Sequence, residues 1–385
     1  MKNKKMIAVI ADDITGAAEL AGIGLNYQLK TEVNTVVADA TDADLLIINA
    51  DTRSLTAEEA KQVTRQIAVQ VAKLKPQLVY KKIDSVLRGH ILAEIEAQLE
   101  AAGNMQRALI IPGNPSHRKT VVDGIYYYQD APVHQSSFAH DPAFPISASH
   151  VHHLLRADES VQVLAQKASL PKKGIFVGDV TGQDDLAHWV DQLDENTLVA
   201  GAAELFDQLL QKTTGKQTQT DTKPVTLQWP RLYVFGSTFY QNRLEIIDGR
   251  LNNIPLTYLP AQALTAPDNY QPDDYVNHVS ALLKNEGSAI ISISTEGINV
   301  KIDPVQLAQN MGNIVNKVTA QAHPAELVIE GGATAAAILM QMGITRLYPE
   351  QQLAPGVIRM RVPGNNQLYI TVKPGSYVWP APVWA

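Results

Sequence analysis

At 385 residues, with hydrophobic residues at 45% and charged residues at 18%, the chain is sized for about two globular domains rather than disorder. A net charge of −7 argues against a general nucleic-acid binder, and the absence of cysteine removes disulfides, thiolate nucleophiles and Cys metal sites. No apolar run approaches the ~20 residues of a membrane span, and the apolar start breaks at Asp12-Asp13, so a soluble, cytoplasmic protein without membrane or nucleic-acid partners is expected.

Residues 6–11 form a continuous apolar run that predicts a buried parallel strand. It ends in Asp12-Asp13-Ile14-Thr15-Gly16, and Ala17, Leu20, Ala21, Gly24 and Leu25 then predict the inner face of a helix. One carboxylate would suffice as a helix cap. The second is suited to receiving a substrate hydroxyl or holding Mg²⁺. Gly16 permits close approach of a ligand to the helix N-terminus. Residues 44–50 predict a strand ending at Asp51-Thr52-Arg53-Ser54, and residues 56–73 a helix opened by Thr56-Ala57-Glu58-Glu59.

A further strand is predicted over 77–80 and an amphipathic helix over 91–102, with Ile91, Leu92, Ile95 and Leu99 on one face. Between them stand Lys81, Lys82, Asp84, Ser85, Arg88, Gly89 and His90. Arg can fork onto a carboxylate, Lys adds a point charge, and Asp can hydrogen-bond or deprotonate a hydroxyl. This is equipment for a small, polyhydroxylated acid, although an Asp/Ser helix cap would also account for part of it. Residues 107–111 predict a strand ending at Pro112-Gly113. A doubly wound sheet would gather all four strand ends along one edge.

Residues 113–120 superficially match a phosphate-cradling G-x-x-x-x-G-K-[ST] loop. Arg118 replaces the second Gly, Pro115 lacks an N–H, and residues 121–128 read as short strands about Asp123-Gly124, so a P-loop is rejected. A substrate-side role for Arg118 stays open. Residues 129–145 read as loop. His150, His152 and His153 open a helix but have no zinc-ligand spacing. Strands are predicted over 174–180 and 197–200.

The polar stretch 212–228 is the expected linker between domains 1–211 and 229–385. The second half restarts with strand 231–235, then Gly236-Ser237, then a helix through Leu244, Ile246 and Ile247. Strand 288–294 ends at Thr295-Glu296-Gly297. Strand 327–329 ends at Glu330-Gly331-Gly332-Ala333-Thr334 before a helix over 335–342. The Gly236-Ser237 and Gly331 to Thr334 turns offer N–H groups, hydroxyls and helix N-termini to phosphate oxygens. Strands 357–362 and 368–372, joined by Pro363-Gly364-Asn365-Asn366, end the chain with the turn Lys373-Pro374-Gly375-Ser376.

In order, these turns resemble the four-carbon acid sugar kinase family. Its D-D-x-T-G turn is similar to Asp12 to Gly16, and its K-x-D-S-x-x-R-G motif to Lys82, Asp84, Ser85, Arg88 and Gly89. Its G-S, G-G-[DE]-T and K-x-G turns are similar to Gly236-Ser237, Gly331 to Thr334, and Lys373 to Gly375. The resemblance spans nearly the whole chain and implies two α/β domains. The N-terminal sheet would be mostly parallel and doubly wound, the C-terminal one mixed, with the active site in the interdomain cleft. It further implies that the first domain binds a sugar acid such as threonate, erythronate or an oxo-tetronate through Thr15, Gly16, Arg53, Lys82, Ser85, Arg88, Gly89 and Arg118. Asp12, Asp13 and Asp84 would be catalytic. The second domain would bind ATP through Ser237, Gly331, Gly332, Ala333, Thr334, Lys373 and Gly375, with Mg²⁺ at Glu330. A homodimer is compatible with this reading.

The departures cluster in the second half. Ala333 stands where the family has an acid, Phe239 where a second Ser is common, and Ser376 to Pro380 where a Gly-rich step usually follows K-x-G. The competing reading is therefore a homologue that binds the sugar acid without transferring phosphate. An unrelated oxidoreductase is disfavoured because no G-x-G-x-x-G follows a strand.

Overall fold

The computed structural model of the chain describes residues 6–103, 105–141, 144–215, 226–236, 253–265, 270–294, 302–364 and 368–384. Ser237, the helix through Leu244, Ile246 and Ile247, the turn at Thr295 to Gly297, Asn365-Asn366, and residues 216–225 of the expected linker lie outside the described residues. Contacts divide the chain into two units, Met1–Thr220 and Asp221–Ala385. No described helix is long and apolar enough to cross a membrane.

The first unit is built on an eight-stranded parallel sheet. Its strands are β1 (Ile7–Ala11), β2 (Thr31–Asn34), β3 (Leu45–Asn49), β4 (Leu78–Lys82), β5 (Arg107–Ile111), β9 (Val161–Leu164), β10 (Gly174–Gly178) and β11 (Thr197–Gly201). They lie in the order β2-β3-β1-β4-β11-β5-β10-β9. All five residues of β1 and of β3 are buried, as their unbroken apolar sequences require in a sheet covered on both faces. Each such Ile, Leu or Val contributes roughly 1.5–3 kcal/mol of burial.

Helices α1 (Ile14–Asn26), α2 (Ala57–Lys73), α3 (Ile91–Ala102), α4 (Val151–Leu155), α5 (Gln183–Asp191) and α6 (Ala203–Thr214) complete the main winding. Thr56 and Glu59 close a capping box at the start of α2. An antiparallel sheet of β6 (Lys119–Val122), β7 (Ile125–Tyr128) and β8 (Ala131–Pro132) turns at Asp123-Gly124, both at positive φ.

Ala11 is in register with Asn49 on one side and Lys82 on the other. From β1 the chain builds β2 and β3 on one flank, then crosses to β4 on the other. The boundary between β1 and β4 is thus a topological switch point, where open α/β sheets place ligands.

Two expectations change here. The strand expected over 77–80 continues to Lys82, so both lysines are strand residues and alternation sends them to opposite faces. Helix α6 runs on to Thr214, into the stretch expected as linker from Lys212, and the Thr213 and Thr214 hydroxyls donate to Leu209 O and Leu210 O.

The second unit is a mixed sheet in the order β13-β14-β12-β15-β18-β17-β16. Its strands are β12 (Arg231–Phe235), β13 (Leu256–Tyr258), β14 (Ser288–Ser292), β15 (Glu326–Glu330), β16 (Arg346–Ala354), β17 (Val357–Arg361) and β18 (Tyr369–Lys373). Pairings among β12 to β15 and β15 to β18 are parallel, while β16, β17 and β18 run antiparallel. Helices α7 (Ala261–Thr265), α8 (Asp273–Glu286), α9 (Pro304–Ala322) and α10 (Gly332–Gln341) accompany it. Helix α10 starts before the expected residue 335, because Gly331 alone makes the turn at φ 101° and Ala335 N–H already bonds its carbonyl at 3.0 Å.

Candidate functional site

The carboxyl ends of β1, β3 and β4 bring the first unit's charged motifs together. Asp13, extended at φ −147°, caps α1: its Oδ1 accepts from Gly16 N–H at 2.8 Å and its Oδ2 from Thr15 Oγ1 at 2.5 Å. A Cβ at Gly16 would lie 2.8 Å from Asp13 Oδ1 and 3.3 Å from Lys82 Nζ, so this turn is closed to a side chain. Arg53, just beyond β3, donates from Nε to Asp12 Oδ2 and from Nη1 to Asp13 Oδ2, each at 2.9 Å, and its Nη1 lies 3.8 Å from Asp84. Arg88 forks onto Asp84 and reaches Asp141 Oδ2 at 2.6 Å. Gly89 holds φ 93°, which brings its backbone beside Arg53.

Electrostatics separate these carboxylates. Burial alone would raise Asp84, but Arg88 and then Arg53 outweigh it and hold its carboxyl far below the usual range. At Asp13 burial is likewise outweighed, by Arg53, Thr15 and Lys82, and the pKa is lowered. Asp51 shows the opposite balance. Although the residue is exposed, the protein around its carboxyl, then Asp13 and Asp12, push it up to about 6 against the pull of Arg53. Asp12 Oδ1 is buried, and the described residues supply it no donor.

The arginines are occupied by protein carboxylates, whereas the lysines keep donors to spare. Lys82 Nζ donates to Ile83 O at 2.9 Å and lies 3.4 Å from Glu19. Lys119 Nζ donates to Ser85 Oγ at 2.7 Å and sits 5.7 Å and 6.0 Å from the Phe138 and Tyr128 ring centres. Burial lowers the Lys119 pKa despite the favourable fields of Asp84 and Glu19. An ammonium has three donors, so each lysine can still serve an anion.

Asp12, Asp13, Thr15, Gly16, Arg53, Lys82, Asp84, Ser85, Arg88 and Gly89 are thus gathered as the sequence suggested. Arg118 is not among them. It holds φ 53° at the end of a 3-10 turn, and its 60% exposed side chain pairs with Asp130. The cation this segment sends inward is its neighbour Lys119, together with Val121, by strand alternation along β6. That alternation was the available signal for Lys119. Glu19 and Asp141 carried none. A cavity of 790 Å³ lies at the opposite ends of the strands, at Leu78 and Thr197, away from this chemistry.

In the second unit, Gly331 opens α10 without a side-chain cap. Gly236 packs so closely on Thr334 that a Cβ there would strike its hydroxyl. Ala333 is exposed in the first turn of α10 and Thr334 is buried. Glu330 is buried, and its Oε2 accepts from Trp379 Nε1 at 3.0 Å and pairs with Lys373 at 3.1 Å. Lys373 also donates to Pro374 O and Tyr377 O, at 2.8 and 2.6 Å, and lies 5.1 Å from the Trp379 ring centre. Gly375 falls in the turn these bonds close. The open N–H groups of α10 suit phosphate oxygens. They do not form a Mg²⁺ cage with their neighbours: Glu330 is engaged, Ala333 has no side-chain oxygen to offer, and no group of three or more His, Asp or Glu residues among the described residues could hold a metal.

A family model for a sugar-binding N-terminal domain matches residues 7–209, and one for a nucleotide-binding C-terminal domain matches residues 249–377. The chain is 25% identical over 391 residues to a D-threonate kinase of Bordetella bronchiseptica, covering 96% of this chain and 94% of that one. It is 30% identical over 157 residues to a D-erythronate kinase of Heliobacterium modesticaldum, covering 40% of this chain and 35% of the other. A solved Salmonella typhimurium protein shares the fold, with a TM-score of 0.77 at 18% identity over 97% of this chain and 96% of that chain.

Proposed function

The chain belongs to the four-carbon acid sugar kinase family, and from that premise we propose that it transfers the γ-phosphoryl group of ATP to a hydroxyl of a four-carbon sugar acid. Threonate, erythronate and the oxo-tetronates are the acids in question, as in its named relatives. The observation that carries the reading is the division of labour among the first unit's cations. Arg53 and Arg88 pair with aspartates, Lys82 and Lys119 retain donors, and one Asp12 oxygen has no donor among the described residues.

Lys82 and Lys119 take the acid's carboxylate, and its hydroxyls are received around Asp12. The attacking hydroxyl forms a bond to the γ-phosphorus as the bond to the β-phosphate oxygen breaks and ADP leaves. The hydroxyl proton passes to Asp12, whose Oδ1 has no donor among the described residues, whereas both oxygens of Asp13 and of Asp84 already accept hydrogen bonds. The N–H groups opening α10 bind nucleotide phosphate, an anion suited to a helix N-terminus. When bound, Mg²⁺ supplies charge neutralisation on those phosphates, and it would enter with the nucleotide and its own waters.

The test is ADP release with Mg²⁺ and ATP across a panel of tetronates and oxo-tetronates. Acid-dependent release with at least one member is expected. No release with any of them, at protein concentrations where calorimetry also detects no acid binding, would overturn the reading.

A further inference from the structure

Behind the acidic cluster lies an ion pair that the chemistry above does not use. Lys81 is wholly buried and pairs with Glu94, which is 1% exposed in the first turn of α3. The other oxygen of Glu94 accepts from Thr52 Oγ1 at 3.0 Å, and Thr52 is also wholly buried. Thr52 N–H and Arg53 N–H bond Asp12 O at 3.0 and 3.3 Å. The residue after Thr52 is therefore the arginine that grips the side chains of Asp12 and Asp13.

We propose that Glu94 is a positioning residue, which sets Arg53 and through it Asp12 by way of the Thr52 hydroxyl. Ion pairs in a protein core are poor sources of stability, and apolar residues of like volume often do as well. This one joins three elements at once: β4, α3 and the β3–α2 loop. Lys82 ends β4, Arg53 lies in the β3–α2 loop, and Arg88 stands in the turn that joins β4 to α3. Glu94 ties them from below, at the depth of the sheet, while the residues that meet ligand project from its edge. A displacement of about 1 Å in such a support can lower a rate about 100-fold.

The inference rests on the kinase reading. Its test is Thr52→Val, which keeps the shape and the Lys81–Glu94 pair but removes the hydroxyl, with Thr52→Ser as the rescue. Thr52→Val should fold, lose about tenfold or more in kcat with the tetronate substrate, and leave the KM for ATP unchanged. Thr52→Ser should regain most of the loss. In a crystal structure of Thr52→Val, Arg53 Nε should no longer lie within hydrogen-bond distance of Asp12 Oδ2. Wild-type kcat in Thr52→Val, equal losses in the Val and Ser variants, or an Arg53 that stays in place would each overturn the proposal. A wild-type protein that phosphorylates no tetronate defeats the functional reading instead, and the position of Arg53 in the Thr52→Val crystal still decides this one.

Discussion

Arg88 grips Asp84 through two parallel hydrogen bonds, Nε to Oδ2 at 2.9 Å and Nη2 to Oδ1 at 2.7 Å. This fork is among the stronger polar contacts a protein makes. It engages both carboxylate oxygens, and Asp141 takes a third N–H of the same guanidinium. The pair frames the turn between β4 and α3.

Removing Arg88 should therefore be felt first in stability. Arg88→Ala leaves Asp84 buried with Arg53, 3.8 Å away, as its remaining arginine partner and should cost about 3 kcal/mol. The sign with pH follows from the depressed Asp84 pKa. The pair's contribution is complete above the carboxylate's unfolded value and is lost as pH falls below it toward the folded value. Urea unfolding should show the gap between wild type and Arg88→Ala closing below about pH 4. A gap that stays constant down to that range counts against the pairing.

The two adjacent aspartates should behave differently. Asp13→Asn perturbs a cap that already serves Gly16, Thr15 and Arg53, so about 1 kcal/mol of stability should go with it. Asp12→Asn should fold and lose at least about 100-fold in kcat, as expected for a lost general base. Equal kcat losses in the two variants, measured by ADP release, would move the base away from Asp12.

Lys119→Met should raise the KM for the acid by about 10- to 100-fold, the 1.5–3 kcal/mol of a hydrogen bond to a charged group. The KM for ATP should hold. Because the Lys119 pKa is lowered, acid affinity should fall off at a pH below that at which an ordinary lysine titrates, and Lys119→Arg should abolish that limb. Acid titrations by calorimetry across the alkaline range decide the matter.

Asp51 gives the opposite pH dependence from Asp84. Its carboxyl, raised to about 6, binds its proton more tightly in the folded than in the unfolded chain. Stability should thus decline as pH rises from about 4 to about 6, with the penalty complete above that window. Asp51→Asn should remove the decline and stabilise the protein at neutral pH, and Asn also tolerates the φ of 51° found there. Melting temperatures of the two proteins that track in parallel from pH 4 to 7 would contradict the assignment.

At the nucleotide side the informative change is Ala333→Asp. Position 333 is exposed in the first turn of α10, so the new carboxylate meets no clash and gains roughly 0.3–1 kcal/mol from the helix N-terminus. It also supplies a carboxylate that is not engaged by Trp379 and Lys373 as Glu330 is, and the KM for MgATP should fall. An unchanged KM would place the metal's protein ligands elsewhere.

Much of this was legible in the chain. The run Ile7–Ala11 could only be a buried strand, and Asp12 to Gly16 declared the turn after it. What sequence could not give was partner choice. Lys81 and Lys82 are identical in composition, but the last residues of β4 alternate, and one faces Glu94 while the other faces the site. Arg118 and Lys119 are likewise neighbours, and a left-handed residue decides which one turns inward. Arg88 was expected to meet the acid, and the structure sets Asp84 and Asp141 around it as well. Such outcomes depend on residues more than thirty positions apart and on register, neither of which a local motif records.

Trp379 carries a consequence for measurement. Its indole N–H holds Glu330 while the Lys373 ammonium sits 5.1 Å from its ring centre, all of it buried. The fluorescence of an indole depends on the charges beside it. Any phosphate that drew Lys373 away, or any cation that drew Glu330 away, would alter the local field and with it the colour or yield of emission. If nucleotide moves either charge, the second unit would report its arrival without a label, and Trp379→Phe would separate that signal from the chain's other three tryptophans.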